Sequence, residues 1–230
     1  MMKQTPSDTF KELLAEVIEI GRLYDDVVFI GGMAVYLHAI NQEITRPYAE
    51  FTKDAVLYIS LAGFSDLRDV EEVVQNTRLS KHEFRRKDFS FDVYAERQAK
   101  LAVPYDSVAA HAAAYEGIKV AALEELLVLK LEAAADRHAS MHGRKDAKDV
   151  IRILVLGAKG KFDPRRAVAF MTQQHFERLE AIVRGPEFTA MAQGNVKTAK
   201  ELRQLAQEVF ERIAHAYEGG DKPPRKRKPG

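Results

Sequence analysis

Over residues 7–24 apolar side chains recur at intervals of three and four (Phe10, Leu13, Leu14, Val17, Ile18, Ile20), which gathers them on one side of an α-helix with Ser7 or Asp8 as its N-cap. The next apolar run, Val27-Val28-Phe29-Ile30, is short, β-branched and aromatic, and predicts a strand. Gly31-Gly32 then turns the chain into a second helix over 33–40. Past a polar loop holding Arg46-Pro47, the run Asp54–Ile59 predicts another strand, and 65–75 returns to helical spacing with Asp66 near its start. Residues 82–85 and 90–94 flank the turn-forming Arg86-Lys87-Asp88 and read as an antiparallel hairpin.

Between 108 and 120 the periodicity does not decide, although Glu116-Gly117 suits a turn between two short strands. From Leu123 onward the pattern is helical, with helices expected at about 122–137, 145–156, 164–171, 174–184 and 197–217. Gly219-Gly220 ends the last of these, and the Pro- and Lys-rich remainder is expected to be disordered. This order predicts an α+β fold: a mixed β-sheet domain over 1–120, a C-terminal helical bundle over 121–218 and a basic tail over 219–230. No internal repeat is visible.

Composition narrows the class. At 230 residues, 46% hydrophobic and 30% charged, with a formal net charge of +1, the chain has the make-up of an ordinary globular protein. The absence of cysteine excludes disulfides, thiol nucleophiles and thiolate zinc sites. No apolar run approaches the roughly 20 residues needed to cross a bilayer, and the N-terminus lacks a signal-like apolar segment, so no membrane partner and a cytoplasmic location are expected. Five bases (Lys222, Arg225, Lys226, Arg227, Lys228) crowd the tail against Asp221, which leaves the body slightly acidic. Any nucleic-acid affinity must therefore come from local patches rather than a global positive field.

The chemistry concentrates in three places. A strand–Gly-Gly–helix turn lets phosphate oxygens approach the backbone N–H groups of Gly31, Gly32 and the following turn, where the helix dipole favours negative charge. Metal-assisted nucleotidyl transfer further needs carboxylates converging on Mg²⁺, and acids two apart on a strand point the same way. Here the strand offers Asp54 and then Val56, while Asp92, flanked by Phe91 and Val93, would add an acid from a neighbouring strand. Asp54 and Asp92 are thus the candidate metal ligands. In the helical half, Lys130 and Arg137 are seven apart and share a helix face, and Asp146 and Asp149 are three apart on the next helix, placed to orient cations or act as a base.

These pieces, in this order, resemble the bacterial nucleotidyltransferases of the abortive-infection toxin type (AbiEii-like, akin to MenT toxins). The resemblance runs from Phe29-Ile30-Gly31-Gly32 through Thr52-Lys53-Asp54-Ala55-Val56-Leu57, where the family shows Thr-x-Asp-Ile-Asp-Leu, to Phe91-Asp92-Val93. It continues through Leu123-Glu124-Glu125-Leu126, Leu129-Lys130-Leu131, Asp136-Arg137 and Arg144-Lys145-Asp146 with Asp149, covering 27–155. It implies a nucleotidyltransferase-type fold and Mg²⁺-dependent transfer of a nucleoside monophosphate from an NTP to a hydroxyl of RNA (tRNA) or protein, with a cognate antitoxin as partner. It also implies that Lys130 and Arg137 contact the nucleotide and that Asp146 lies near the reacting hydroxyl, a catalytic place beside Asp54 and Asp92. The departure is Val56, which stands where the family has its second metal-binding acid and has no oxygen to donate. Either one metal suffices, another acid such as Glu50 or Asp66 substitutes, or the chain is a catalytically degenerate relative that binds nucleotide, RNA or a partner protein.

Plainer roles stand beside these. Asp54 could cap a strand end, Asp92 could face water from an edge strand, Lys130 could snorkel to the surface and Asp146 could complement a helix N-terminus. The basic spot around Arg85, Arg86 and Lys87 could be a solvated hairpin tip or touch a nucleic-acid backbone. His138 and His142 have an i, i+4 spacing but no third ligand in view.

Overall fold

The computed structural model describes residues 8–76, 81–136 and 141–219. Val27–Ile30 forms strand β1, buried at every position. Asp54–Ile59 (β2) lies antiparallel to it on one side, and Ile118–Val120 (β7) lies parallel on the other. Phe89–Ala95 (β5) runs parallel to β2, and Lys81–Arg86 (β4) returns antiparallel to β5 through a turn at Lys87, whose φ is +52°. Short edge strands Val74–Asn76 (β3) and Ala113–Tyr115 (β6) complete a mixed seven-stranded sheet in the order β3-β4-β5-β2-β1-β7-β6. The fold is α+β with a mixed sheet followed by helices.

Register sorts side chains between two faces. Phe29 pairs with Leu57, and Leu57 pairs with Val93. This face is closed by helix α1 (Asp8–Leu23), whose Gly21 presses so closely on Ile118 and Phe29 that an added methyl would sit 2.5 Å from Ile118 Cγ2. Helix α3 (Leu61–Val70) closes the same face through Gly63 on Ile59 and Phe64 on His82. On the opposite face lie Ile30, Val56 and Asp92, paired in a row across three strands, with Asp54 two residues from Val56. Tyr58, also on this face, is covered by Tyr105 of helix α4 (Tyr105–Ala110). The end that carries Asp54 stays open, since Asp54 is exposed and Val56 and Asp92 are half-buried.

Helix α2 (Gly31–Ile40) joins the sheet to the helical half. Its residues Met33 to Leu37 are all buried, and it packs on β2 and on helices α5 (Leu123–Asp136) and α6 (Met141–Lys159). Around these pack α7 (Pro164–Val168), α8 (Gln173–Arg184), α9 (Glu187–Met191) and the long α10 (Val196–Gly219). The core runs without a break from Phe10 on α1 to Ile213 on α10.

Three expectations shift. The helix expected over 65–75 runs over 61–70, because the Ser60 hydroxyl accepts the Gly63 N–H and caps it four residues earlier; Val74–Asn76 then pairs as a strand. Helix α2 starts at Gly31 itself, whose φ of +72° turns the strand directly into the helix. Asp92 sits on an interior strand between β4 and β2 rather than at an edge. The uncertain 108–120 segment resolves into the end of α4 and a hairpin turning at Glu116-Gly117, both in the left-handed region. Residues 220–230 and the expected disordered tail lie outside the described residues.

Candidate functional site

The first turn of α2 opens on Ile30, which offers no side-chain cap, and no acid stands in that turn. Among the described residues its N–H groups are therefore left without a side-chain acceptor. Gly31 is required here: its φ is positive, and a Cβ would come within 3.0 Å of Val56 Cγ2. Gly32 faces polar groups: an added carbon would lie 3.5 Å from Thr52 Oγ1 and 3.8 Å from Lys145 Nζ. Lys145 projects from α6, is half-buried and has no carboxylate partner among the described residues. The packing of α2 on α6 brings this cation over the glycine pair.

Thr52 is buried and its hydroxyl bonds both the Asp54 carboxylate and the Asp54 carbonyl, the latter at 3.1 Å. A hydroxyl has one proton, so it donates to one of these oxygens at a time and still holds the Asp54 side chain beside Gly32. Asp92 lies one strand away on the same face, where it is the register partner of Val56. Burial pushes the Asp92 carboxyl above the usual carboxylate range, Lys81 pulls it down, and the charges of Glu83 and Asp54 push it up again.

Lys81 and Glu83 were not assigned to this face from the sequence. Glu83 of β4 pairs with Asp92, and Lys81, two residues before it, shares its side of the strand. The Lys81 Nζ reaches Asp92 Oδ2 at 2.7 Å and Glu83 Oε1 at 3.0 Å. Burial disfavours its charge, but hydrogen bonds to Asp92 and Glu83 outweigh that and hold its pKa above the usual lysine value.

The helical residues have a different setting. Lys130 is 7% exposed, and its ammonium lies 3.0 Å from Asp146 Oδ1 and 2.7 Å from Asp149 Oδ2. Burial opposes its charge, yet the charges of Asp149 and Asp146 prevail and raise its pKa. Asp146 and Asp149 are themselves buried at 3% exposure. Arg152 extends the cluster, donating to Asp149 at 2.7 Å, to the Tyr48 carbonyl at 2.6 Å and to Glu50 at 3.0 Å. This network ties α5 and α6 to the loop that leads into Thr52 and Asp54. Lys130 and Asp146 thus come together with each other, in the interior, while Asp54 and Asp92 come together on the sheet face. Arg137 and His138 lie outside the described residues, as does the His142 side chain. At the hairpin tip, Arg86 meets Glu16, Glu19 and Glu71, and Lys87 meets Glu16, so α1 and the residue that ends α3 neutralise most of that basic spot.

The donor set does not suit Mg²⁺ as it stands. One Asp92 oxygen is taken by an ammonium, Val56 offers none, and no three His, Cys, Asp or Glu side chains cluster to hold a metal among the described residues. Neither proposed substitute fills the gap: Glu50 is bound to Arg152, and Asp66 rides on α3, which covers the other face of the sheet.

No family model matches this chain, and no curated protein does. Among solved structures, JHP933 from Helicobacter pylori is similar over 93% of this chain and 97% of its own, at 16% identity and a TM-score of 0.52, so the two share a fold. An antigenic nucleotidyltransferase-like protein from Paracoccidioides brasiliensis is similar over 82% of this chain and 94% of its own, at 17% identity and a TM-score of 0.48. The Megavirus polyadenylate synthase is similar over 93% of this chain and 51% of its own, at 12% identity and the same TM-score. Among the described residues no helix is long and apolar enough to cross a membrane.

Proposed function

We propose that the chain is a nucleotidyltransferase-type protein that binds the phosphate end of a nucleoside triphosphate where α2 begins, and that it is a degenerate member with respect to metal-assisted transfer. The observation that carries this is the setting of Gly32. Uncapped N–H groups of a ten-residue helix and a Lys145 ammonium with no carboxylate partner among the described residues lie at the same helix start. Lys145 takes here the role that the resemblance implies for Lys130, whose ammonium is enclosed by two aspartates. Thr52, hydrogen-bonded to the Asp54 carboxylate, stands on the sheet side of Gly32.

The test is thermal stability at increasing NTP concentration in EDTA, since a ligand that binds only the folded state raises the melting temperature. The wild type shifts and Lys145→Ala shifts less; no shift with any NTP removes the proposal.

A second reading keeps catalysis: transfer of NMP from NTP to a hydroxyl of an RNA such as tRNA, or of a protein, by a toxin of a toxin-antitoxin or phage-defence system. Its support is that Asp54 and Asp92 share one sheet face on adjacent strands. Each labelled NTP with total RNA in Mg²⁺ or Mn²⁺ discriminates the two. Label transferred by wild type and lost in Asp54→Ala establishes the enzyme, and transfer gained only in Val56→Asp establishes degeneracy. Co-purification with the product of a neighbouring small gene tests the antitoxin.

A further inference from the structure

We propose that Lys81 is a tethered counter-ion occupying the position a divalent cation would take between Asp92 and Glu83, so that the native sheet face excludes metal and acquires a Mn²⁺ or Mg²⁺ site when the ammonium is removed. The idea deepens the degenerate reading above and rests on it only for the meaning of the face, not for the behaviour of these three residues.

The geometry is set by β-sheet register. Antiparallel pairing places Glu83 opposite Asp92, and Lys81, two residues along, projects from the same face. Its Nζ lies within 3.0 Å of an oxygen of each acid, so a single positive charge sits between carboxylates from two neighbouring strands. The Lys81 side chain is 11% exposed, against 39% for Glu83 and 22% for Asp92, so the cation is the most shielded member of the trio. Glu83 is further fixed by Asn76, whose amide donates to the same Oε1 at 3.2 Å.

An ammonium and a metal ion cannot occupy this point together. Mg²⁺ and Mn²⁺ bind carboxylate oxygens at short range and keep several waters, which requires the volume that Nζ fills. A free ion would have to displace a covalently attached cation, whose local concentration is set by its own side chain rather than by the solution. Without the ammonium, Asp92 and Glu83 would face each other across the ladder with Asp54 one strand further, an arrangement of like charges that is destabilising until a cation enters.

Mn²⁺ alone, without nucleotide, is the probe, read by loss of the free-ion paramagnetic resonance signal and by melting temperature. At millimolar Mn²⁺ the wild type is expected to bind none at this face. Lys81→Met is expected to melt lower than wild type in EDTA, to recover on adding Mn²⁺, and to bind one ion at least about tenfold more tightly than wild type. Adding Asp92→Asn to Lys81→Met abolishes that gain. Lys81→Gln, neutral and still able to hydrogen-bond Asp92, gives the same answer if the methionine variant fails to fold. Wild-type Mn²⁺ binding that Asp92→Asn removes overturns the proposal, as does silence of both Lys81 variants. Because no nucleotide is present, failure of triphosphate binding would leave this result standing, and the reverse.

Discussion

Replacing Lys130 by Met removes the ammonium from the interior of the α5–α6 interface and leaves Asp146 and Asp149 facing an apolar thioether. The distances of 3.0 and 2.7 Å correspond to gross attractions of about 6 kcal/mol each at an effective dielectric of ~20. Much of that is offset by the desolvation of three buried charges, so the net value of the intact cluster is small. Breaking it is a different matter, because both buried carboxylates then lose the ammonium they share. Arg152 still pairs with Asp149, and it is already shared with Glu50. The expected loss is about 3–5 kcal/mol, or about 6–20 °C in melting temperature for a chain of this size. Urea denaturation followed by far-UV circular dichroism measures it, with the m-value checked for constancy. Lys130→Met/Asp146→Asn/Asp149→Asn should recover part of the loss, since neutral amides cost less to bury than unpaired charges. A loss below about 1 kcal/mol for the single variant would refute the interior-cluster reasoning and return Lys130 to the surface or the ligand.

Other outcomes follow from particular contacts. Lys145→Ala should weaken triphosphate binding about tenfold by titration calorimetry while changing stability by less than about 0.5 kcal/mol, because its ammonium has no carboxylate partner among the described residues. Gly31→Ala should cost about 1–2 kcal/mol for the left-handed backbone alone, with a further penalty from Val56 that a Val56→Ala background relieves, as a double-mutant cycle in urea would measure. His38 is half-buried with its Nε2–H on the Ala121 carbonyl at 2.9 Å, and desolvation lowers its pKa below 6.5 against the pull of that bond and of Glu124. The unfolded chain therefore takes up a proton first, and stability falls as pH drops from 6.5 through the lowered value. His38→Asn should flatten that part of the profile of melting temperature against pH.

Strands β1, β2, β4 and β5 were legible because each is a short apolar or alternating run bounded by turn residues, and α1, α5 and α10 because helical spacing persists over several turns. Where a cap decided the boundary the sequence misled: Ser60 rather than Asp66 starts α3, since a hydroxyl accepting an N–H three residues on outweighs the later acid. The five-residue α9 gave no usable period.

From local pattern alone came the glycine turn, Asp54 and Asp92 as candidate acids on two strands, and the missing second carboxylate at Val56. Alternation along a strand settles which side chains share a face before any neighbour is known. Partners are another matter. That Lys81 neutralises Asp92, that Lys130 is enclosed by Asp146 and Asp149, and that Lys145 stands over Gly32 depend on strand order and on how α5, α6 and α2 pack. A charged side chain looks the same in sequence whether it meets solvent, substrate or a buried counter-ion. Only the tertiary structure fixes its dielectric surroundings and its nearest opposite charge, and those two quantities determine what it can do.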